Sequence, residues 1–140
     1  MGLKKRDRVL MASQPEAWVV VNAMLGDELD LVPVHTMVKA FEVLERDAGS
    51  IELIICTIAF DDSRMIEFLQ AVKRNPAMSN VPFLCARVLA SALSDDLVSR
   101  VGTVCKDCGA VDLLDVANLD DVAARNVLRA AVMQYGRPAY

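Results

Sequence analysis

The fold of this chain is decided by residues 51–62, which read IELIICTIAFDD. From Glu52 to Ile58, apolar and β-branched residues follow one another without polar alternation, which is typical of a strand covered on both faces. Thr57 stands near the end of this predicted strand, and Asp61 and Asp62 lie just beyond it. Because strand ends of this kind often hold the chemistry of an α/β protein, the stretch predicts both a central strand and the place of a candidate site.

The composition favours one domain with an aliphatic core. Of the 140 residues, 54% are hydrophobic but only 5% are aromatic, which argues against a β-sandwich. The net charge of -4 gives no electrostatic reason to expect a nucleic-acid partner. We expect a single domain over residues 1–140, with a core from 8 to 135, a short basic N-terminal end and a short C-terminal tail.

The sequence carries no signal for a membrane or for secretion. No apolar run approaches the ~20 residues that span a bilayer, and the N-terminus lacks the apolar core and small-residue cleavage site of a signal peptide. Two of the four cysteines, Cys56 and Cys85, lie inside apolar strand-like runs, where a free thiol behaves as a small hydrophobe. We therefore expect a cytoplasmic protein without a membrane partner.

Strand-like and helix-like segments alternate along the whole chain. The predicted strands are Arg8 to Ala12, Leu31 to His35, Glu52 to Ile58, Val81 to Ala86 and Ala110 to Val116. Five strands that alternate with five helices are typical of a doubly wound, parallel α/β sheet with helices on both faces. Pro33 inside the second strand argues for an edge position, because proline cannot donate to a neighbouring strand.

Two details of this pattern bear on the site. The fourth helix is predicted from the apolar stripe Leu93, Leu97, Val101 and either Val104 or Cys105, with Gly109 as its C-cap. In a doubly wound fold, ligands bind at the carboxyl ends of the strands. That rule selects the crevice residues Ser13, Gln14, Thr57, Arg87 and Val116.

With its elements placed, the chain resembles the receiver domains of bacterial two-component response regulators, the CheY-like domains of flavodoxin-like topology. The resemblance runs from Arg8 to Tyr135. It rests on RVLMASQPEA at the first turn, ELIICTIAFDDSRMIEFL around the third strand, NVPFLCA at the fourth and CGAVDLL at the fifth.

The resemblance implies that the family's phosphorylation site has been replaced. Receivers accept a phosphoryl group on an aspartate at the end of strand three, where this chain has Thr57. An acidic pair after strand one holds Mg²⁺ in receivers, and here it becomes Ser13 and Gln14. The hydroxyl residue that ends strand four becomes Arg87, and the lysine that ends strand five falls on or beside Val116.

These replacements predict a degenerate receiver, or pseudo-receiver. Mg²⁺ needs anionic oxygen ligands, which a hydroxyl and an amide do not supply. Thr57 has no adjacent base, and without a metal the charge on a transferring phosphoryl group loses its main stabiliser. We therefore expect no metal, no other cofactor and no catalytic residue in a non-enzymatic signalling domain of a two-component or phosphorelay system.

Two other hypotheses remain open. In the first, Asp61 or Asp62 is an atypical phosphoacceptor, although both are more simply explained as loop acids that cap the helix beginning near Ser63. In the second, the vacated pocket binds a small anion through the permanent cation of Arg87, which could also pair with one of the two aspartates. The single histidine, His35, is expected on strand two and remote from the pocket.

The segment from Arg87 to Gly109 points to a partner surface. It is longer than receivers usually carry there, by about two helical turns, and Ser94 can cap a lengthened fourth helix. In receivers, the face made by helix four, strand five and helix five mediates dimerisation and partner binding. We expect that face to bind a partner protein or a second copy of the chain.

The pair Cys105 and Cys108 has the spacing of a redox or zinc motif. Zinc would need further ligands, and the pair falls at a helix C-terminus, where the helix dipole disfavours a thiolate. The sequence leaves the role of this pair open.

Overall fold

Five parallel strands form the centre of the part of the chain that the structure, a computed structural model, describes: residues 8–91 and 93–137. The strands are β1 Arg8–Ala12, β2 Asp30–Val34, β3 Leu53–Thr57, β4 Phe83–Arg87 and β5 Asp112–Asp115. They lie in the order β2-β1-β3-β4-β5, and every neighbouring pair is parallel. The predicted doubly wound sheet is therefore confirmed, and the order reverses between β1 and β3.

Five helices cover the sheet in the described ranges: α1 Pro15–Leu25, α2 Met37–Asp47, α3 Met65–Arg74, α4 Asp95–Asp107 and α5 Asp121–Tyr135. A 3₁₀ turn, Ala48–Ser50, follows α2, and a tight turn with a non-helical backbone, Phe60–Ser63, precedes α3. Ser94 and Asp120 cap α4 and α5 by accepting hydrogen bonds from backbone N–H groups in the first turn, as expected of these residue types.

Two apolar layers, one on each face of the sheet, hold the fold together. The layer under α2, α3 and α4 is centred on Phe68, whose ring centroid lies 5.2 to 5.6 Å from those of Phe41, Phe60 and Phe83. The layer under α1 and α5 is aliphatic. All five residues of β3 are buried, because this strand lies in the middle of the sheet and touches both layers.

The sheet ends in two different edges. β2 forms one edge, as Pro33 predicted, and β5 forms the other. β5 carries an aspartate at each end, Asp112 and Asp115. These two carboxylates lie beside α4 and β4, where they make the ion pairs described below.

The predicted stripe of α4 is confirmed at Val101 and Cys105, which pack in the core, and is wrong at Leu97 and Val104, which are 42% and 46% exposed. The other buried residues of the helix are Val98 and Gly102. A Cβ atom at Gly102 would lie at an ordinary contact distance of 3.5 Å from that of Leu113 on β5. The helix begins at Asp95, so Leu93 precedes it.

Candidate functional site

The carboxyl ends of β1, β3 and β4 open into one cavity of about 430 Å³. Gln14, Thr57 and Arg87 line it, as the strand-end rule predicted. Ser13 and Val116 do not. Ser13 is fully buried, and its hydroxyl has no hydrogen-bond partner in the described part of the chain. Val116 packs in the layer under α1 and α5, so the structure corrects its expected place at the crevice.

Two uncharged side chains that are hydrogen-bonded to each other lie at the strand-end side of the cavity. The hydroxyl of Thr57 donates to Oε1 of Gln14 at 3.0 Å. Thr57 is 3% exposed. Its hydroxyl proton is hydrogen-bonded to an amide oxygen and not to a base that could remove it. The pair of Thr57 and Gln14 carries no negative charge, whereas receivers have carboxylates at the corresponding strand ends.

Arg87 is buried and its charge is compensated. Its side chain is 6% exposed, and Nη1 lies 3.1 Å from Oδ2 of Asp115. Nε donates to Oγ of Ser91 at 3.3 Å, and Nη2 donates to the carbonyls of Ser91 and Leu93 at 3.2 and 3.4 Å. The idea of a pair with Asp61 or Asp62 is therefore wrong. Arg87 is held by its own loop and by strand β5.

Asp115 is the functional neighbour that sequence reasoning missed. It ends β5 directly opposite Arg87 in the parallel register of β4 and β5. Aligning the apolar runs of β4 and β5 side by side in the sequence would have placed Arg87 opposite Asp115. Their opposite charges are the signal that could have found the pair.

Asp61 and Asp62 lie outside the cavity lining. Oδ2 of Asp61 accepts a hydrogen bond from the backbone N–H of Met37 at 2.8 Å, so this acid caps α2 and not α3. Both aspartates have left-handed backbones, with φ of 44° and 61°, and Ser63 has φ of 64°. The segment turns sharply after β3 and brings Asp61 to the neighbouring helix, which corrects the expected capping of α3.

His35 does not line the cavity, in line with the expectation that it lies away from the pocket, although it contacts the turn after β1. It follows β2 directly, and its Nδ1 lies 2.7 Å from the carbonyl oxygen of Ser13. The hydrogen bond ties the end of β2 to the turn after β1. The structure therefore gives His35 a place beside the site and not in it.

The donor set at the strand ends does not fit Mg²⁺. Gln14 and Thr57 offer neutral oxygens that are bonded to each other, and Arg87 brings a cation. Over residues 8–91 and 93–137, no group of three or more His, Cys, Asp or Glu side chains is placed to hold a metal ion. Mg²⁺ sites in proteins need one or more carboxylates.

The cysteines lie in the core between β3, β4 and α4. All four are free thiols, and only Cys108 is not fully buried. A hydrogen bond with the Cys105 thiol, together with burial, raises the pKa of Cys85 far above its usual value of 9.0. The same hydrogen bond lowers the pKa of Cys105. Cys105 and Cys108 do stand at the C-terminal end of α4, as predicted.

The exposed apolar side chains of α4, β5 and α5 do not share one face. Val104 lies about 200° around α4 from Gly102, and Met133 lies on the same side of α5 as Arg125 and Arg129, which pair with Glu28 after α1. A groove between α4 and β5 runs along Gly102, and an ion pair of 3.5 Å joins Lys106 to Asp112 beside it. Among the described helices, none is long and apolar enough to cross a membrane.

No protein-family model matches the chain, and no curated protein matches it in sequence. Solved structures do match. A response regulator receiver domain from Rhodospirillum rubrum aligns with a TM-score of 0.71 at 19% identity, over 95% of this chain and 99% of that one. The phosphorylated cyanobacterial phytochrome response regulator RcpA aligns with a TM-score of 0.71 at 13% identity, over 94% of both chains.

A response regulator from Hahella chejuensis aligns with a TM-score of 0.70 at 20% identity, over 92% of this chain and 94% of that one. Sequence identities this low carry information about architecture and not about chemistry. The chain therefore has the fold of the CheY-like receiver domains of response regulators.

Proposed function

We propose that this protein is a receiver-like signalling domain of a two-component or phosphorelay system that acts through protein contacts, without phosphorylation and without enzymatic activity. The observation that carries the proposal is the pairing at the strand ends. Thr57 is bonded to Gln14, and Arg87 is bonded to Asp115, so the side chains at the family's reactive positions satisfy one another.

Two physical arguments support the loss of phosphorylation. A phosphoryl acceptor needs a nucleophile that is ionised or has a base beside it, and Thr57 has neither. A transferring phosphoryl group also needs cationic stabilisation. Arg87 is the cation that lines the cavity, but four of its five N–H donors are engaged by Asp115, Ser91 and Leu93.

The loss of the metal site follows the same reasoning. The two residues that replace the acidic pair, Ser13 and Gln14, bring a buried hydroxyl and an amide, and neither carries charge. Asp61, the acid nearest in sequence to Thr57, is committed to the N-terminus of α2. We therefore propose that Mg²⁺ does not bind at this crevice.

The partner surface that we propose is the face of α4, β5 and α5. What supports this surface is the groove between α4 and β5 and the charged pair of Lys106 and Asp112 at its rim. A protein partner or a second copy of the chain would cover Thr103 and Lys106 there. Thr103→Glu and Lys106→Glu should each weaken that contact, whereas Val38→Glu, on the exposed side of α2, should not.

The test of the proposal is an amide NMR titration with Mg²⁺, then with beryllofluoride, followed by intact mass after acetyl phosphate treatment. We expect no saturable shift and no adduct. The triple variant Ser13→Asp, Gln14→Asp, Thr57→Asp is the matched control and should gain Mg²⁺-dependent shifts. An adduct on the unmodified chain would overturn the proposal and would direct attention to Asp61 and Asp62.

A further inference from the structure

The cavity at the strand ends has the size of a ligand site. Its volume of about 430 Å³ lies within the range of small-molecule pockets. Its walls come from four parts of the fold: the start of α1, the segment after β3, the loop after β4 and the first two turns of α4. In receiver domains, the phosphorylation site lies at these strand ends. The cavity occupies the corresponding position in this chain.

The walls of the cavity are mainly aliphatic. They are formed by Ala17, Ile58, Val88, Leu89, Leu97 and Val101. Leu97 is 42% exposed, although it faces a concave surface. A ligand that covered such walls would remove apolar surface from water, and this is the main source of affinity in small-molecule sites.

The polar groups of the cavity favour an uncharged ligand. The guanidinium of Arg87 is neutralised by Asp115 and bonded to its own loop, so it is not free to hold an anion. Neither Asp61 nor Asp62 contributes to the lining. A carboxylate or phosphate placed here would lose its hydration without gaining a free cation in exchange.

Besides the hydroxyls of Ser63 and Ser91, the cavity offers a ligand the side-chain amide of Gln14. Oε1 of Gln14 accepts from Thr57, but the amide nitrogen Nε2 of Gln14 makes no hydrogen bond to any described residue. An amide group has two N–H donors. A ligand with a carbonyl or ether oxygen could therefore satisfy Gln14 while its apolar part meets the aliphatic walls.

We propose that this cavity binds a small, uncharged, mainly apolar molecule that carries a hydrogen-bond acceptor for Gln14. The outer wall of the cavity, Leu97 and Val101, belongs to α4. Because α4 forms this wall, a bound ligand would also affect the face of α4, β5 and α5. This consequence rests on the proposed function, whereas the binding of the ligand does not.

The experiment is an amide NMR titration of the protein alone with two probes of similar shape, neutral N-(1-naphthyl)acetamide and anionic 1-naphthoate. We expect saturable shifts at Ala59, Val88 and Leu89, and a dissociation constant for the neutral probe that is lower by about tenfold or more. Equal or tighter binding of 1-naphthoate would overturn the proposal, as would shifts that do not saturate.

Three variants locate the site. Ala59→Leu adds a side chain at the exposed mouth of the cavity and should abolish saturable binding, whereas Ala23→Leu adds the same atoms in the separate groove between α1 and α5 and should not. Gln14→Ala should weaken the neutral probe about tenfold. It removes no cap from α1 but leaves the hydroxyl of Thr57 without its acceptor, so its free energy of unfolding is measured alongside the affinity. Equal affinities of Ala59→Leu and Ala23→Leu for the probe would place binding elsewhere and refute the assignment.

Discussion

Removing Asp115 should destabilise the protein more than removing Arg87, although the two residues form one ion pair. The side chain of Arg87 is 6% exposed and that of Asp115 is 30% exposed, with 3.1 Å between Nη1 and Oδ2. Asp115→Ala leaves a cation in the protein interior without a counter-charge. Arg87→Met leaves a carboxylate that water can reach, and methionine fills much of the volume of arginine.

The magnitude follows from burial. Truncating one partner of a fully buried pair costs about 3–5 kcal/mol. Here Arg87 keeps its hydrogen bonds to Ser91 and Leu93, and water reaches the position of Asp115. We therefore expect about 2 kcal/mol for Asp115→Ala and less than about 1 kcal/mol for Arg87→Met.

Urea denaturation of the two single variants and the double variant measures these free energies of unfolding. At about 2.1 cal/mol/K of unfolding entropy per residue, a loss of 2 kcal/mol corresponds to a melting temperature lower by about 7 °C. The double variant Arg87→Met, Asp115→Ala should recover most of the stability lost in Asp115→Ala. If Arg87→Met were the more destabilising change, or if the two losses simply added, the account of Arg87 as a buried, compensated cation would be refuted.

Three further predictions concern the core and the turn after β3. Phe68→Ala should lower the free energy of unfolding by about 3–5 kcal/mol, because Phe68 is fully buried among three other rings. Phe68→Leu should cost clearly less, and equal losses would contradict the packing described. Asp62→Gly should stabilise the protein by up to about 1 kcal/mol, because Asp62 is exposed with φ of 61°, and Asp62→Val should destabilise it. A loss of stability in Asp62→Gly would argue against that backbone conformation. Stability should also fall as the pH rises above 9.0, because the raised pKa keeps Cys85 a neutral thiol when folded while it ionises when unfolded. Urea midpoints at pH 7 and pH 10 measure this fall. Cys85→Ala should reduce this fall without abolishing it, because burial also raises the pKa of Cys56, and Cys108→Ala should leave the fall unchanged.

Most of the architecture follows from local pattern. The alternation of apolar runs, Pro33 in an edge strand, and the cap Ser94 all depend on residues near one another in the chain, and each is found where it was expected. Part of the buried stripe of α4 was missed. A glycine contributes nothing to a hydrophobic pattern, yet Gly102 lies on the buried side of α4, beside Leu113 of β5.

The site was harder to predict because its contacts join distant parts of the chain. Thr57 and Gln14 were assigned to the crevice from the strand ends alone, and the structure brings them into hydrogen-bond distance. The partner of Arg87 depends on the register of β4 against β5, and that of Asp61 depends on where α2 begins. Neither relation is visible in a sequence pattern that treats each element by itself.

The two edges of the sheet restrict how copies of this protein can associate. An exposed edge strand is a template for strand addition and for amyloid-like stacking. Pro33 removes a backbone donor from the edge at β2, and the charges of Asp112 and Asp115 flank the edge at β5. Growth of the sheet from one molecule into the next is thus disfavoured at both ends. Self-association at high concentration should proceed through helical surfaces and stop at small, soluble assemblies instead of extending into fibres.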